Sequence, residues 1–283
     1  MTIEHVSDTA RWVAVYRAME TERPDAIFRD PYARRLAGAK GEEIVRTMKG
    51  GASAAWSMIV RTAVFDELIL AEIARSNIDC VLNLAAGLDA RPFRLTLPAQ
   101  LRWIDVDFAP ILDYKWELLK DETSSCLYET APTDLTDGEA RRALFARVAA
   151  EQDRVLVIAE GLLIYLTPAD VGALATDLHG QPAFLAWVID LASPRLLKWM
   201  QRSWGKGVSK GSAPFLFAPE EGTAFFARSG WREREFRSAW TEAKRLDRRM
   251  RGWWVWALFS LFQTPKMKRA GERMAGQVML ERA

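Results

Sequence analysis

From Cys80 onward the chain repeats one pattern: a short apolar run closing on an acid or a glycine, then an amphipathic stretch, then another apolar run. Cys80-Val81-Leu82-Asn83-Leu84-Ala85 closes at Gly87, and residues 101–106 run into Asp107. Residues 127–130 form a weaker, edge-like run before Asp134; residues 154–159 close at Glu160-Gly161; residues 183–190 make a fifth run. Near-continuous apolar runs are what strands covered on both faces require. Their alternation with helical stretches predicts a βαβ series with right-handed crossovers and helices on both faces. Residues 231–236 and 277–281 supply two further strands. The expected fold is α/β, a doubly wound, mostly parallel seven-stranded sheet.

About 75 residues of helical pattern precede the first strand, over 9–21, 31–37, 41–49 and 53–75, with Asp30-Pro31 and Gly50-Gly51 as breaks. This divides the chain into an N-terminal helical extension, 1–75, packed on an α/β domain, 76–283. A helical lid is expected around 195–225, where residues 194–204 read as helix and Gly205, Gly207, Gly211 and Pro214 mark a loop. Residues 219–227 and 239–262 read as helical, the latter broken near Gly252.

With 283 residues and 49% hydrophobic content the chain can bury one large core, and disorder is excluded. Two cysteines, Cys80 and Cys126, and two histidines, His5 and His179, give no disulfide framework and no metal-ligand spacing, so no metal is expected. Neither histidine sits in a nucleophile context. The net charge of +2 conceals an asymmetry: residues 195–283 hold 19 Arg and Lys against 8 Asp and Glu, a net +11, leaving −9 on the rest. The N-terminus has no apolar signal-peptide core, and the longest apolar stretch, 253–262, is about half of the roughly 20 residues a bilayer crossing needs. The expectation is a soluble, cytoplasmic protein without a membrane or nucleic-acid partner, its oligomeric state open. Trp253, Trp254 and Trp256 fit core packing of a lid helix better than an acceptor pocket.

Ligands of doubly wound sheets bind beyond the carboxyl ends of the strands. Asp107 lies 20 residues after Gly87, the spacing at which an acid meets ribose hydroxyls, and Gly87 lets the backbone approach a ligand. The turn Ala85-Ala86-Gly87-Leu88-Asp89-Ala90-Arg91 has one glycine where a dinucleotide site needs three, and Asp89 disfavours a pyrophosphate. These residues favour an unphosphorylated, positively charged adenosyl ligand such as S-adenosylmethionine over NAD. Asp105 is expected to cap or pair locally, and Lys115 to lie on a helix surface.

The motifs together resemble the leucine carboxyl methyltransferase-like family of S-adenosylmethionine-dependent O-methyltransferases. They are Arg17-Ala18-Met19-Glu20 with Asp30-Pro31-Tyr32-Ala33; Arg61-Thr62 with Phe65-Asp66; the run from Val81 to Leu95; Asp105-Val106-Asp107 with Pro110 and Lys115; and the run from Ala159 to Leu166. The resemblance covers residues 9 to 190, with a looser tail to about 240. It implies a class I methyltransferase fold and methyl transfer to a carboxylate or hydroxyl; the expected acceptor is a small molecule such as a secondary metabolite, with a protein acceptor left open. By the same resemblance Arg61 pairs with the cofactor carboxylate, and Gly87 lines its methionine part. Asp107 holds the ribose, Asp134 and Leu135 meet the adenine, and Glu160 lies near the amino group or sulfonium. Arg17 reaches the cofactor carboxylate or the substrate. Ala85 stands where the family often has glycine. A carboxylate acceptor needs no base; a hydroxyl is helped by one, for which Tyr165 is the candidate. Two other readings stay open: an NAD-dependent oxidoreductase, and a nucleic-acid-binding module using the basic C-terminal part.

Overall fold

The computed structural model describes residues 7–47, 51–208, 214–250 and 264–283. Its centre is a seven-stranded sheet. The strands are β1 (Cys80–Leu84), β2 (Arg102–Asp107), β3 (Leu127–Pro132), β4 (Val155–Ala159), β5 (Phe184–Ala192), β6 (Trp231–Ser238) and β7 (Ala275–Arg282). They lie in the order β3-β2-β1-β4-β5-β7-β6, with β1 to β5 parallel and β7 antiparallel to both its neighbours. The chain starts in the middle, winds outward to β3, then returns to β4 on the other side of β1. The order therefore reverses between β1 and β4, which places the ligand crevice beyond Leu84 and Ala159.

The helices before and between the first five strands are α1 (Ser7–Thr21), α2 (Ala33–Thr47), α3 (Gly51–Ser76), α4 (Arg91–Arg94), α5 (Ala109–Leu119), α6 (Gly138–Glu151) and α7 (Pro168–His179). Then come α8 (Pro194–Val208), α9 (Ala239–Arg245) and α10 (Pro265–Glu272). Side chains alternate across each strand, so each central strand feeds two cores. Val81, Leu156 and Val188 face α3 through Val60, Val64, Leu68 and Ile69. Leu82, Leu84 and Val157 face α6 and α7 through Phe145, Val148, Val171 and Leu174. Each such buried aliphatic side chain contributes about 1.5–3 kcal/mol of transfer free energy. The start of α7 carries a capping box in which Thr167 and Asp170 satisfy each other's backbone N–H, with Pro168 in the first turn.

The seven strands stand where the apolar runs predict, within two residues at each end. The helices expected over 31–37 and 41–49 stand on either side of a break at Gly38, φ +60°, within α2. The helical reading is revised in four places. The helix expected over 239–262 ends at Arg245, and residues 246–250 are not helical. The stretch 219–227 becomes a 3₁₀ helix, Gly222–Ser229. Helix α10 has no counterpart in the sequence reading, because its apolar positions are too few to mark a period. Lys115 does not lie on the surface: it is buried within α5 and paired with Asp105. The expected tryptophan helix around Trp253, Trp254 and Trp256 and residues 209–213 of the expected lid fall outside the described residues. No helix among the described residues is long and apolar enough to cross a membrane.

Candidate active site

A cavity of about 1970 Å³ opens over the carboxyl ends of β1, β2, β4 and β5. Single small-molecule sites run to roughly 300–1,000 Å³, so this one has room for two ligands side by side. Arg17, Arg61, Gly87, Asp107, Asp134, Leu135, Glu160 and Tyr165 all line it. The fold brings them together from six places: α1, α3 and the segments after β1, β2, β3 and β4.

The turn after β1 is tight. Ala85 has φ of +52° and Gly87 of +50°. An L side chain in that region costs roughly 1–2 kcal/mol, so the alanine at 85 holds strain that glycine would not. At Gly87 glycine is required by space as well, since a Cβ would stand 3.0 Å from the Ala10 Cβ of α1. The Gly87 N–H donates to Asp107 Oδ2 at 2.7 Å, and the Phe108 N–H donates to Oδ1 at 2.7 Å. Asp107 thus ties the β1 turn to the end of β2, and each of its oxygens keeps a second acceptor position. Burial pushes its carboxyl above the ordinary value, against the pull of the two N–H groups.

Beside it runs a chain of alternating charges. Asp89 Oδ2 accepts from Arg91 Nη1 at 2.7 Å; Arg91 Nε donates to Asp66 Oδ1 at 2.7 Å; Arg91 Nη2 lies 2.8 Å from Glu160 Oε2. Glu160 Oε1 lies 2.9 Å from Arg61 Nε, and Arg61 Nη1 donates to Asp190 Oδ2 at 3.3 Å. The second oxygen of Asp190 accepts the Gly161 N–H at 2.6 Å. A Cβ at Gly161 would come 3.1 Å from Arg61 Nη1, so the glycine leaves room for the guanidinium. Burial works against the charge on Arg61, but Glu160 and Asp190 more than offset it and hold its pKa above the ordinary value. Burial likewise opposes the charge on Asp89, and Arg91 overrides it, holding that carboxyl well below its ordinary range.

Two buried polar atoms on consecutive residues of α3 lack hydrogen-bond partners, Arg61 Nε and Thr62 Oγ1, and both residues line the cavity. Nε is close to Glu160, but its N–H is not aimed at the carboxylate. A buried donor without an acceptor costs roughly 1–3 kcal/mol. An adenosyl amino acid fits this donor set: an acid for the ribose, and a guanidinium with spare hydrogen-bonding capacity for a carboxylate. Glu160 and Asp190 are acids for an ammonium. A pyrophosphate does not fit, and the obstacle is Asp89, the acid that disfavours it in the sequence. Helix α4 is a single turn, and the Arg91 N–H at its start already donates to Asp89 Oδ1 at 2.9 Å.

Arg17 reaches the cavity edge while its Nε donates to Asp30 Oδ2 at 2.8 Å and its Nη2 to the Leu88 carbonyl at 2.5 Å. It fastens α1 over the β1 turn. Asp134 is exposed, and its Oδ1 accepts from the Thr136 N–H and hydroxyl at 2.8 and 2.7 Å. Tyr165 stacks at a tilt on Phe215, ring centroids 5.7 Å apart. Burial raises its phenol above the ordinary value, so near neutral pH it faces the cavity uncharged. Asp190 is the site residue the sequence reading passed over. Its signal was the same as that of Asp107, an acid closing an apolar strand.

The family model described as leucine carboxyl methyltransferase matches residues 10–179. A relative from Streptomyces avermitilis, provisionally named an S-adenosyl-L-methionine-dependent methyltransferase, is 31% identical over 79% of this chain and 82% of its own. One from Saccharopolyspora erythraea, provisionally given the same name, is 35% identical over 81% of this chain and 84% of its own. Among solved structures, a DUF574 family protein from Streptomyces avermitilis shares the fold with a TM-score of 0.60 at 12% identity, over 95% of this chain and 97% of that one. A second, from Thermobifida fusca, gives 0.56 at 17% identity, over 95% and 94%.

Proposed function

Because the chain belongs to the leucine carboxyl methyltransferase family, and is an S-adenosylmethionine-dependent methyltransferase, we propose that it methylates a carboxylate oxygen of a small molecule. The carrying observation is the state of the groups around the cavity floor. Glu160 and Asp190 are engaged by Arg61 and Arg91, Tyr165 is an uncharged phenol, and no histidine is among the lining residues described. A hydroxyl acceptor must lose a proton as the bond forms and so is helped by a base. A carboxylate arrives already charged and asks only for alignment.

S-adenosylmethionine supplies a methyl on a sulfonium, which becomes a neutral thioether when the acceptor oxygen takes the methyl. The protein's part is positioning. Asp107 accepts the ribose hydroxyls, Arg61 takes the amino acid carboxylate, and Glu160 with Asp190 takes its ammonium. Asp134 and Leu135 border the adenine. Arg17 acts through α1, holding that helix over the turn at Gly87. The apolar wall of Ile164, Leu196, Met200 and Phe215 excludes water from the acceptor end. Helix α8, with Phe215 and Phe217, sets which acceptor enters.

The test is the bond made. Incubated with methyl-labelled S-adenosylmethionine and a panel of carboxylic acids, phenols and alcohols, the protein should label the acids, and mild alkali should release the label as methanol. Label that survives alkali, as an ether does, would replace the carboxylate by a hydroxyl acceptor.

A further inference from the structure

Around the cavity mouth the protein exposes four large apolar side chains. Trp199 on α8 is 52% exposed, Met267 on α10 is 56% exposed, and Trp240 and Met274 are also open to solvent. All four line the cavity. Elsewhere in the C-terminal part several arginines are matched with acids: Arg248 with Glu20 at 2.8 Å, Arg245 with Glu67 at 2.7 Å, Arg237 with Glu242 at 2.6 Å. At the mouth they are not. Arg195, Lys198 and Arg202 on α8 and Lys268 and Arg269 on α10 are exposed and have no acidic partner among the described residues. Helix α8 contains no acid at all. Its inner side is apolar, with Leu197 buried beside Phe215 and Leu196 and Met200 on the cavity wall. This mouth belongs to the +11 part of the chain.

We propose that α8, Trp240 and α10 form a collar that seats on an anionic membrane surface, so that the acceptor enters the cavity from the lipid as an amphiphilic carboxylate. Tryptophan prefers the membrane–water interface, where its ring is apolar and its N–H stays wet. Lysine and arginine around it are drawn to anionic headgroups. Helix α8 keeps its aliphatic side against the protein and turns bases and a tryptophan outward, so it rests on the headgroups rather than inserting. Nucleic acid would use the bases but has no need of Met267 and Met274 opening directly into an apolar cavity. The expectation of a protein that keeps away from membranes rested on the lack of a crossing segment, and surface seating needs none.

The nature of the acceptor rests on the methyltransferase reading, whereas the seating itself does not. The test is co-sedimentation of the full chain with phosphatidylcholine vesicles, with and without phosphatidylglycerol, over a salt series. S-adenosylhomocysteine is titrated into the same samples. Binding should need phosphatidylglycerol and weaken with salt. The pair K198E and R269E, neither of which lines the cavity, should lower it on the order of 30-fold or more, at about tenfold per 1.4 kcal/mol. The pair W199S and M267S should weaken it at every salt concentration. S-adenosylhomocysteine affinity should hold in K198E and R269E, and cooperative thermal unfolding should hold in W199S and M267S, which shows that both pairs are folded. Failure of the unaltered chain to sediment with phosphatidylglycerol vesicles overturns the seating. So does sedimentation that neither pair reduces, or a duplex oligonucleotide that binds as tightly and displaces the vesicles. Loss of S-adenosylhomocysteine binding with sedimentation intact would strike at the methyltransferase reading instead.

Discussion

Asp107 concentrates the chemistry of the site in one side chain. Its two oxygens are each half-used by backbone N–H groups, which fix the carboxylate while leaving it able to accept from two hydroxyls. Hydrogen bonds to a charged group contribute about 1.5–3 kcal/mol each, so Asp107→Ala should weaken S-adenosylhomocysteine on the order of 100-fold by calorimetry. Acidity should do the same gradually. Burial raises this carboxyl, so it protonates at a higher pH than a free aspartate near 3.9 and then loses an acceptor. Affinity should therefore fall with decreasing pH, beginning above the ordinary carboxylate range, and Asp107→Asn should be weak and flat over the same interval. For the free protein the sign is opposite. A raised folded pKa means this group favours folding below its unfolded pKa, and that contribution is lost as pH rises through the folded one. Asp107 was legible because twenty residues separate it from Gly87 along the chain. Asp190 closes an apolar run as Asp107 does, but no spacing along the chain ties it to the site: its partners Arg61 and Gly161 meet it only once β5 lies beside β4.

At the scale of elements, α5 is held to the sheet by an ion pair that the helical pattern hid. Lys115 and Asp105 are both fully buried, and Asp105 also accepts from Asn83 Nδ2 at 2.9 Å, Trp103 Nε1 at 2.9 Å and the Tyr128 hydroxyl at 3.0 Å. Three strands and one helix thus converge on one carboxylate, two residues before Asp107. The clue lay in β2, not in α5: an acid inside an otherwise apolar strand demands a partner. Removing one member of a buried pair costs about 3–5 kcal/mol because the other charge is stranded. Lys115→Met should destabilise by that amount in denaturant unfolding. Adding Asp105→Asn to it should recover much of the loss, since an amide keeps an acceptor for Trp103 and carries no charge. If the double variant is as unstable as the sum of the single ones, the pair is not what joins α5 to β2. The strands themselves were readable because apolar runs covered on both faces have no other solution. Helix α10 was not, because every described side chain on it is exposed and it leaves no apolar stripe.

For the whole molecule, the sheet and the N-terminal helices make one site from parts far apart in sequence. Arg17 on α1 reaches the turn after β1, Arg61 on α3 reaches the ends of β4 and β5, and the acids wait at the strand ends. Much of the cavity floor is therefore charge held in place before any ligand arrives, including a guanidinium N–H buried without an acceptor. A ligand that satisfies this arrangement binds the folded chain and not the unfolded one, so it must raise stability by mass action. At a hundred times its dissociation constant the gain is about 2.7 kcal/mol. For a chain of this size each kcal/mol moves the midpoint roughly 2–4 °C, so S-adenosylhomocysteine should raise the melting temperature about 5–10 °C. NAD should leave it unmoved, because Asp89 already occupies the helix terminus where its pyrophosphate would sit. Arg61→Ala should shrink the S-adenosylhomocysteine shift without abolishing it, as the ribose contact to Asp107 survives. A thermal scan showing equal shifts with both ligands would mean that the strand-end acids do not select the ligand, and the reading of the floor as a grip for an unphosphorylated adenosyl amino acid would fall.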